Sequence, residues 1–430
     1  MSKAAAICGR HPAPPSVTTR AKRPRWSIVL SRDNFIAAAC FAFLLWASTG
    51  LRPLLPAFFA GERYLWVAAD VTVIVWFVTS PGEVLAAARR NKIVICWGLF
   101  ACFSMIWAPK STPALYYGLQ LVFTILMGLF LSNVQTRLRL IKLLFLALML
   151  TQLLSLFIEL AAPHMAPKFA GGGAFMHKNV LGSFMLLQII NGLCLLALGW
   201  RPFLTGIGLV MAIALLLMSG SASSLLIAVL VAGGLLPMAL VYRANANLAR
   251  AAAGLACMAA ALGGVLILVS GYNPLKAILG GVGKDVTLTG RTILWDFGWQ
   301  AFLDKPWLGH GFRAYWENEK TTVLQLRYVM QQDLEIFHNN FIEVAVAFGI
   351  CGPILLVLGL VAAFNRSLAE FLATRSLAAL WSVLLVIFVV TLSMAENPLF
   401  NNHGFLQALF VVAMAARDPP ARGLATPQRN

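Results

Sequence analysis

The chain has 430 residues, of which 60% are hydrophobic and only 11% charged. A soluble domain holds about 45–50% apolar and about 25% charged residues, so a water-soluble globular fold is excluded. The net charge of +17 first invites a nucleic-acid partner, but its distribution along the chain argues against one.

Apolar runs of about 17–25 residues recur, the length that crosses about 30 Å of hydrocarbon. They are continuous rather than alternating, which excludes a transmembrane β-barrel. The expected fold is an all-α polytopic membrane protein with about twelve transmembrane helices.

Residues 1–33 are basic: Lys3, Arg10, Arg20, Lys22, Arg23, Arg25 and Arg32 stand against one acid, Asp33. They are expected to form a cytoplasmic tail, too long and irregular for the n-region of a signal peptide. Spans follow at about 35–51, 64–80, 93–108, 113–132, 140–162, 179–199, 203–218, 223–242, 251–270, 340–363, 377–395 and 400–416. Pro113 and Pro202 fall in the first turns of the fourth and seventh, where a missing N–H costs little. The expected order is spans one to nine over 34–270, a polar loop over 271–339, spans ten to twelve over 340–416 and a basic tail over 417–430.

With the N-terminus placed inside, 21 Lys and Arg fall on inner segments and 12 on outer ones, of which 7 sit in the long loop. Long loops count little toward orientation, so both termini are expected in the cytoplasm. The positive excess is then a topology signal with attraction to anionic lipid headgroups, and no nucleic-acid partner is expected.

Gly271–Asn340 is the polar exception, with seven acids balanced by seven bases. The charge count places it outside, together with Pro163–Asn179, the Ser219–Ser224 turn and Ala395–His403. No nucleotide or phosphate-loop motif appears on the inner side. Energy for an outer-face reaction must therefore arrive stored in a substrate, and no cofactor is expected.

Thr289–Leu303 reads as a short amphipathic helix stopped by Pro306, with Arg291, Trp295, Gly298 and Phe302 on one face. Two compatible readings fit it. One is a helix on the membrane surface anchored by Trp. The other has Arg291 gripping a phosphate through its planar fork, with Trp295 supporting a sugar.

His338 stands just before span ten. It reads either as a tolerated polar residue or as a general base suited to pH near 7. Asn339 and Asn340 share this helix start with Glu343, which needs a partner such as an Arg or an Asn. His177 and Lys178 open span six, as ordinary interfacial groups or as phosphate contacts. Glu396, Asn397 and His403 bracket the last outer turn and are placed to line a cavity. Asp70 lies in the middle of span two, where an acid is a functional candidate, although the sequence names no partner for it. Gly309–His310–Gly311 reads as a structural turn. The seven cysteines include no CxxC pair and the six histidines no HxxxH pair, so neither a disulfide framework nor a metal site is expected.

GRTILW (Gly290–Trp295), PWLGHGF (Pro306–Phe312) and HNNFIEVAVAFGICG (His338–Gly352), in this order around a late outer loop, resemble the O-antigen ligase and polysaccharide polymerase superfamily. FMHKNVLG (Phe175–Gly182) resembles its exopolysaccharide-producing branch. The motifs span roughly Phe169 to His403; the first five spans match in hydropathy only.

The resemblance implies a C-type glycosyltransferase fold in the bacterial inner membrane, active on the periplasmic face. It implies an undecaprenyl-diphosphate-linked glycan as donor and inverting transfer without metal or cofactor. The acceptor is a lipid-linked repeat unit in the polymerase branch and lipid A-core in the ligase branch. Membrane lipid and a chain-length regulator protein are further expected partners. By match of motif, Arg291 stabilises the departing diphosphate, and His338 deprotonates or orients the acceptor hydroxyl. The family commonly carries a basic residue where this chain has Ala222, in Ser219-Gly220-Ser221-Ala222, and Lys178 is a candidate substitute. The leading expectation is a polymerase. A ligase shares its chemistry, and a transporter or flippase of lipid-linked sugars is the alternative of another class, although no internal repeat is visible.

Overall fold

A computed structural model describes residues 32–48, 62–161, 172–175, 177–221, 223–228, 230–231, 289–317, 321–331 and 334–416. The N-terminal tail up to residue 31, most of span eight, span nine, Ala222 and the C-terminal tail lie outside these. Among the described residues, all repetitive structure is helical.

The N-terminal part contains α1 (Arg32–Ala47), α2 (Glu62–Thr79), α3 (Pro81–Arg90) and α4 (Lys92–Phe103). The longer α5 (Ser111–Val134), α6 (Arg137–Ala161) and α7 (Lys178–Ala197) follow, then α8 (Pro202–Met218). After the undescribed stretch come α9 (Thr289–Asp304), α10 (Thr321–Met330) and α11 (Asn340–Phe348). The chain closes with α12 (Cys351–Thr374), α13 (Leu377–Leu392) and α14 (Phe405–Ala415). The helices α5, α6, α7 and α12 are each long and apolar enough to cross a bilayer alone.

Three expected spans are redrawn. Span two ends in a 107° bend between α2 and α3. Ser80 leaves the helical region there, and Pro81 restarts the chain without an N–H. The short α3 buries Val84 and Ala87 and carries Arg89 and Arg90 in its last turn, where cations suit the helix dipole.

Span ten is not one helix. It breaks at Gly349, which has φ 61°, and α12 then runs to Thr374, well past the expected end at 363. The broken turn is occupied by another segment. His310 N donates to Val346 O at 2.9 Å, Gly311 N to Ala347 O at 2.8 Å and Ile350 N to Pro306 O at 2.8 Å. The Pro306–Gly311 turn thus docks onto carbonyls that the end of α11 leaves without a helical partner. A Cβ at Gly349 would lie 2.3 Å from the Trp307 carbonyl carbon, so both the conformation and the contact require glycine.

Span twelve begins at Phe405 rather than near 400. Residues 393–404 form a turn with Phe400 and His403 at positive φ, which an apolar run cannot reveal.

Polar groups gather at two ends. At one, buried Arg137 pairs with both carboxylate oxygens of Glu370 at 2.9 and 2.8 Å and also donates to Ala416 O. Arg366 Nη1 reaches Asn91 Oδ1 at 2.8 Å nearby. At the other end, Trp107 Nε1 donates to Leu308 O at 2.7 Å, Lys110 Nζ to Glu317 O, and Asn179 to Glu396. Between them the core is apolar. Several of its polar side chains are hydrogen-bonded across helices, which offsets the cost of burying them in a low-dielectric interior. Gln152 Nε2 donates to Gly208 O, Gln188 Nε2 to Phe145 O and Trp381 Nε1 to Asn191 Oδ1. These bonds tie α6, α7, α8 and α13 together and fix α7, whose first turn enters the site.

Candidate active site

Glu396 is the hub of the second polar end. It follows α13, its N–H donating to Leu392 O at 2.8 Å. One carboxylate oxygen accepts from Arg291 Nη2 at 2.8 Å and from Asn179 Nδ2 at 3.0 Å. The other meets His338 Nδ1 at 2.8 Å. Arg291 Nη1 also donates to Ala395 O at 2.7 Å. Four segments distant in sequence thereby converge, from the start of α7, α9, the approach to α11 and the α13–α14 turn. The side chains remain partly open, with Arg291 20%, Glu396 18% and His338 28% exposed.

The sequence builds each arm locally. α9 lays Leu294, Gly298 and Ala301 inward; a Cβ at Gly298 would meet Ile342 at 2.4 Å, so the glycine lets α9 close on α11. Trp295 Nε1 donates to Phe337 O at 3.0 Å, tying Arg291's helix to the residue before His338. Phe337 N donates to Glu343 Oε2 at 2.9 Å, and Trp316 Nε1 occupies the other Glu343 oxygen at 2.9 Å. Glu343 therefore supports the His338 backbone through Phe337 instead of pairing with an Arg or Asn.

Asn339 caps α11, its Oδ1 accepting from Phe341 N and Ile342 N. Asn340 accepts from Leu399 N at 3.0 Å and donates its own N–H to Ser393 O at 2.8 Å, fastening the Glu396 turn to α11. Between these anchors His338 sits at φ 50°, a left-handed conformation that its surroundings must hold.

Burial would raise the Glu396 pKa, but the hydrogen bond and charge of His338, the charge of Arg291 and the Asn179 amide outweigh it. Glu396 is held below the usual carboxylate range and is ionised at neutral pH. A carboxylate only accepts, so His338 Nδ1 carries the proton in this bond.

His177 lies at the α7 N-cap, where its Nδ1 accepts from Asn179 N at 3.2 Å. Its pKa is lowered, first by burial; Glu396 opposes this, while His338, Lys178 and Arg291 add to it. Lys178 is exposed at the first position of α7. His310 is structural, its Nε2 lying 2.8 Å from Ala301 O beneath α9.

Asn179 and Ser221 escape the sequence reading. Ser221 Oγ donates to Asn179 Oδ1 at 2.9 Å, linking the Ser219–Ser224 turn to the hub. An Asn in the first turn of a helix reads as a cap, and only the fold places it against Glu396. Among the described residues, no group of three or more His, Cys, Asp and Glu side chains is arranged to hold a metal ion.

The result is a partly open Arg–carboxylate–His cluster at one end of an apolar helical bundle. Residues 207–357 match the family described as O-antigen ligase, a stretch that includes Arg291 and His338 and ends before Glu396. Over 293 residues the chain is 32% identical to the exopolysaccharide production protein ExoQ of Rhizobium meliloti (strain 1021), covering 65% of this chain and 66% of that relative, just short of two thirds of its length. By these two matches the chain is similar to the O-antigen ligase and polysaccharide polymerase superfamily, and its apolar helices fit a multi-pass membrane protein.

Proposed function

We propose that this protein is an inner-membrane glycosyltransferase that polymerises undecaprenyl-diphosphate-linked repeat units of an exopolysaccharide or O-antigen on the periplasmic face. The observation that carries this reading is Glu396 holding Arg291 and His338 in one cluster. The orientation, with both termini cytoplasmic, rests on the charge count along the sequence. A lipid-linked acceptor repeat unit and a chain-length regulator are its partners in this reading.

The reaction follows from the cluster. His338 keeps its Nδ1 proton on Glu396, which leaves Nε2 as the basic nitrogen. Nε2 takes the proton of an acceptor hydroxyl as that oxygen attacks the anomeric carbon. The bond from this carbon to the diphosphate oxygen breaks on the opposite face, inverting the centre. Negative charge grows on the departing diphosphate, where a preorganised guanidinium stabilises most. Arg291 spends one donor on Glu396 and one on Ala395 O, and a guanidinium has five.

Arg291 and Glu396 cancel in charge, so a diphosphate requires a further cation. Lys178, at the same helix start as Asn179, fills that role in place of a basic residue at 222. His177, protonated on Nε2 when its Nδ1 accepts from Asn179, is a second donor toward the diphosphate.

A defined lipid-linked repeat unit supplied to the purified protein tests the reading. A ladder of longer products with release of undecaprenyl diphosphate is expected, and Arg291→Ala or His338→Ala should abolish it in a folded protein. Activity retained in either variant removes that residue from the mechanism. The matched family's description favours one second reading, ligation to lipid A-core; a single transfer to that acceptor without a ladder would establish it. Lipid movement across vesicles without any product would mean a transporter.

A further inference from the structure

We infer that Asp70, Trp66 and His403 form a buttress that sets the position of Glu396, which makes Asp70 a positioning residue for transfer. The catalytic part of this inference rests on reading the Glu396 cluster as the active site. Asp70 lies within the apolar run of α2, where a carboxylate is costly without a partner. His403 supplies one, with Nε2 3.3 Å from Asp70 Oδ2. The same imidazole stacks on Trp66, ring centres 4.7 Å apart and planes 6° from parallel. The backbone is held as well: His403 N donates to Thr124 Oγ1 at 2.9 Å, and Asn402 Nδ2 to Gln120 Oε1 at 2.9 Å.

All of these contacts come from α2 and α5, none of whose described side chains hydrogen-bonds to Glu396. They grip the far end of the 393–404 turn, whose near end carries the hub. In the middle, Leu399 N donates to Asn340 Oδ1 at 3.0 Å and Phe400 N to Gln407 Oε1 at 2.8 Å. Phe400 and His403 are both left-handed, at φ 50° and 52°. Such residues persist only where the surroundings over-determine them. Releasing His403 lets this backbone relax toward ordinary conformations, and the displacement reaches Glu396, and through it His338 and Arg291. The α2 carboxylate thus acts on chemistry it does not touch.

The test uses the full chain in lipid nanodiscs. Asp70→Ala should lower kcat roughly tenfold to a hundredfold, the scale of small misplacements of reacting groups, with the donor KM little changed. Hydrogen exchange should rise at residues 395–403 and stay unchanged in α12. Asp70→Glu should restore part of the rate. In a Glu396→Gln background, Asp70→Ala should add no further loss, because both changes act through one group. Asp70→Asn, nearly isosteric, carries the same comparisons if Asp70→Ala fails to fold. Unchanged exchange at 395–403 overturns the buttress. A rate loss that multiplies fully with Glu396→Gln overturns the route through Glu396. Raised exchange in a protein that transfers no glycan supports the buttress and overturns the active-site reading alone.

Discussion

His338 Nδ1 donates to Glu396 Oε2 across 2.8 Å, and this one bond decides which imidazole nitrogen is basic. Glu396→Gln keeps the size of the side chain and removes its charge. An amide can meet His338 with its N–H as well as its oxygen, so the tautomer is no longer fixed. We expect kcat to fall about a hundredfold to ten-thousandfold, the usual worth of a positioned base, with donor binding less affected. Steady-state kinetics on a lipid-linked repeat unit measure this, and a kcat within a few-fold of the parent would contradict the role of Glu396.

Lys178→Gln should act on binding rather than chemistry. An exposed charge pair is worth about 1 kcal/mol, about fivefold in donor KM at low salt. The difference from the parent should shrink as ionic strength rises. A donor KM insensitive to both the substitution and salt would place Lys178 outside the diphosphate site.

Acid should loosen the site through Glu396. Its native pKa is depressed, so the folded state binds fewer protons than the unfolded state over the interval between the two values. The stabilisation is complete above the unfolded carboxylate value of about 4.3 and is lost as pH falls through the lower native value. Thermal midpoints recorded from neutral pH into that range should fall less steeply for Glu396→Gln than for the parent. Parallel curves would show that Glu396 carries no such linkage.

Gly349→Ala should damage the fold more than the chemistry. The left-handed backbone costs about 1–2 kcal/mol for a residue with a Cβ, and overpacking against Trp307 adds about 1–3 kcal/mol. A lower thermal midpoint in detergent is the expected outcome. An unchanged midpoint would show that the α11–α12 break tolerates a side chain.

The apolar spans were legible because a bilayer demands long uninterrupted runs, and α5, α6 and α7 lie within a few residues of where those runs place them. The α11–α12 break was not legible. AFGICG continues the apolar run, and only φ at Gly349 and the segment docked there distinguish a break from a helix. At the site, Arg291 and His338 stood out because charged and titratable groups are rare in such a chain. Glu396 was visible as a cavity residue, but its bridging of Arg291 and His338 depends on a turn that ends span eleven early. Asn179 escapes notice because an Asn in the first turn of a helix is commonplace, and Asp70 has no visible partner because His403 is 333 positions away. Hydropathy thus reports depth in the membrane, whereas the polar pairings depend on contacts between helices remote in sequence.

The Pro306–Gly311 turn is joined to the broken α11–α12 helix by main-chain bonds from His310, Gly311 and Ile350. Such a seam depends little on side-chain identity apart from its glycines. The segment carrying Pro306–Gly311 is therefore an exchangeable part. On the proposed function, a chimera joined on either side of this turn should keep its helical frame while taking on the glycan specificity of its new segment.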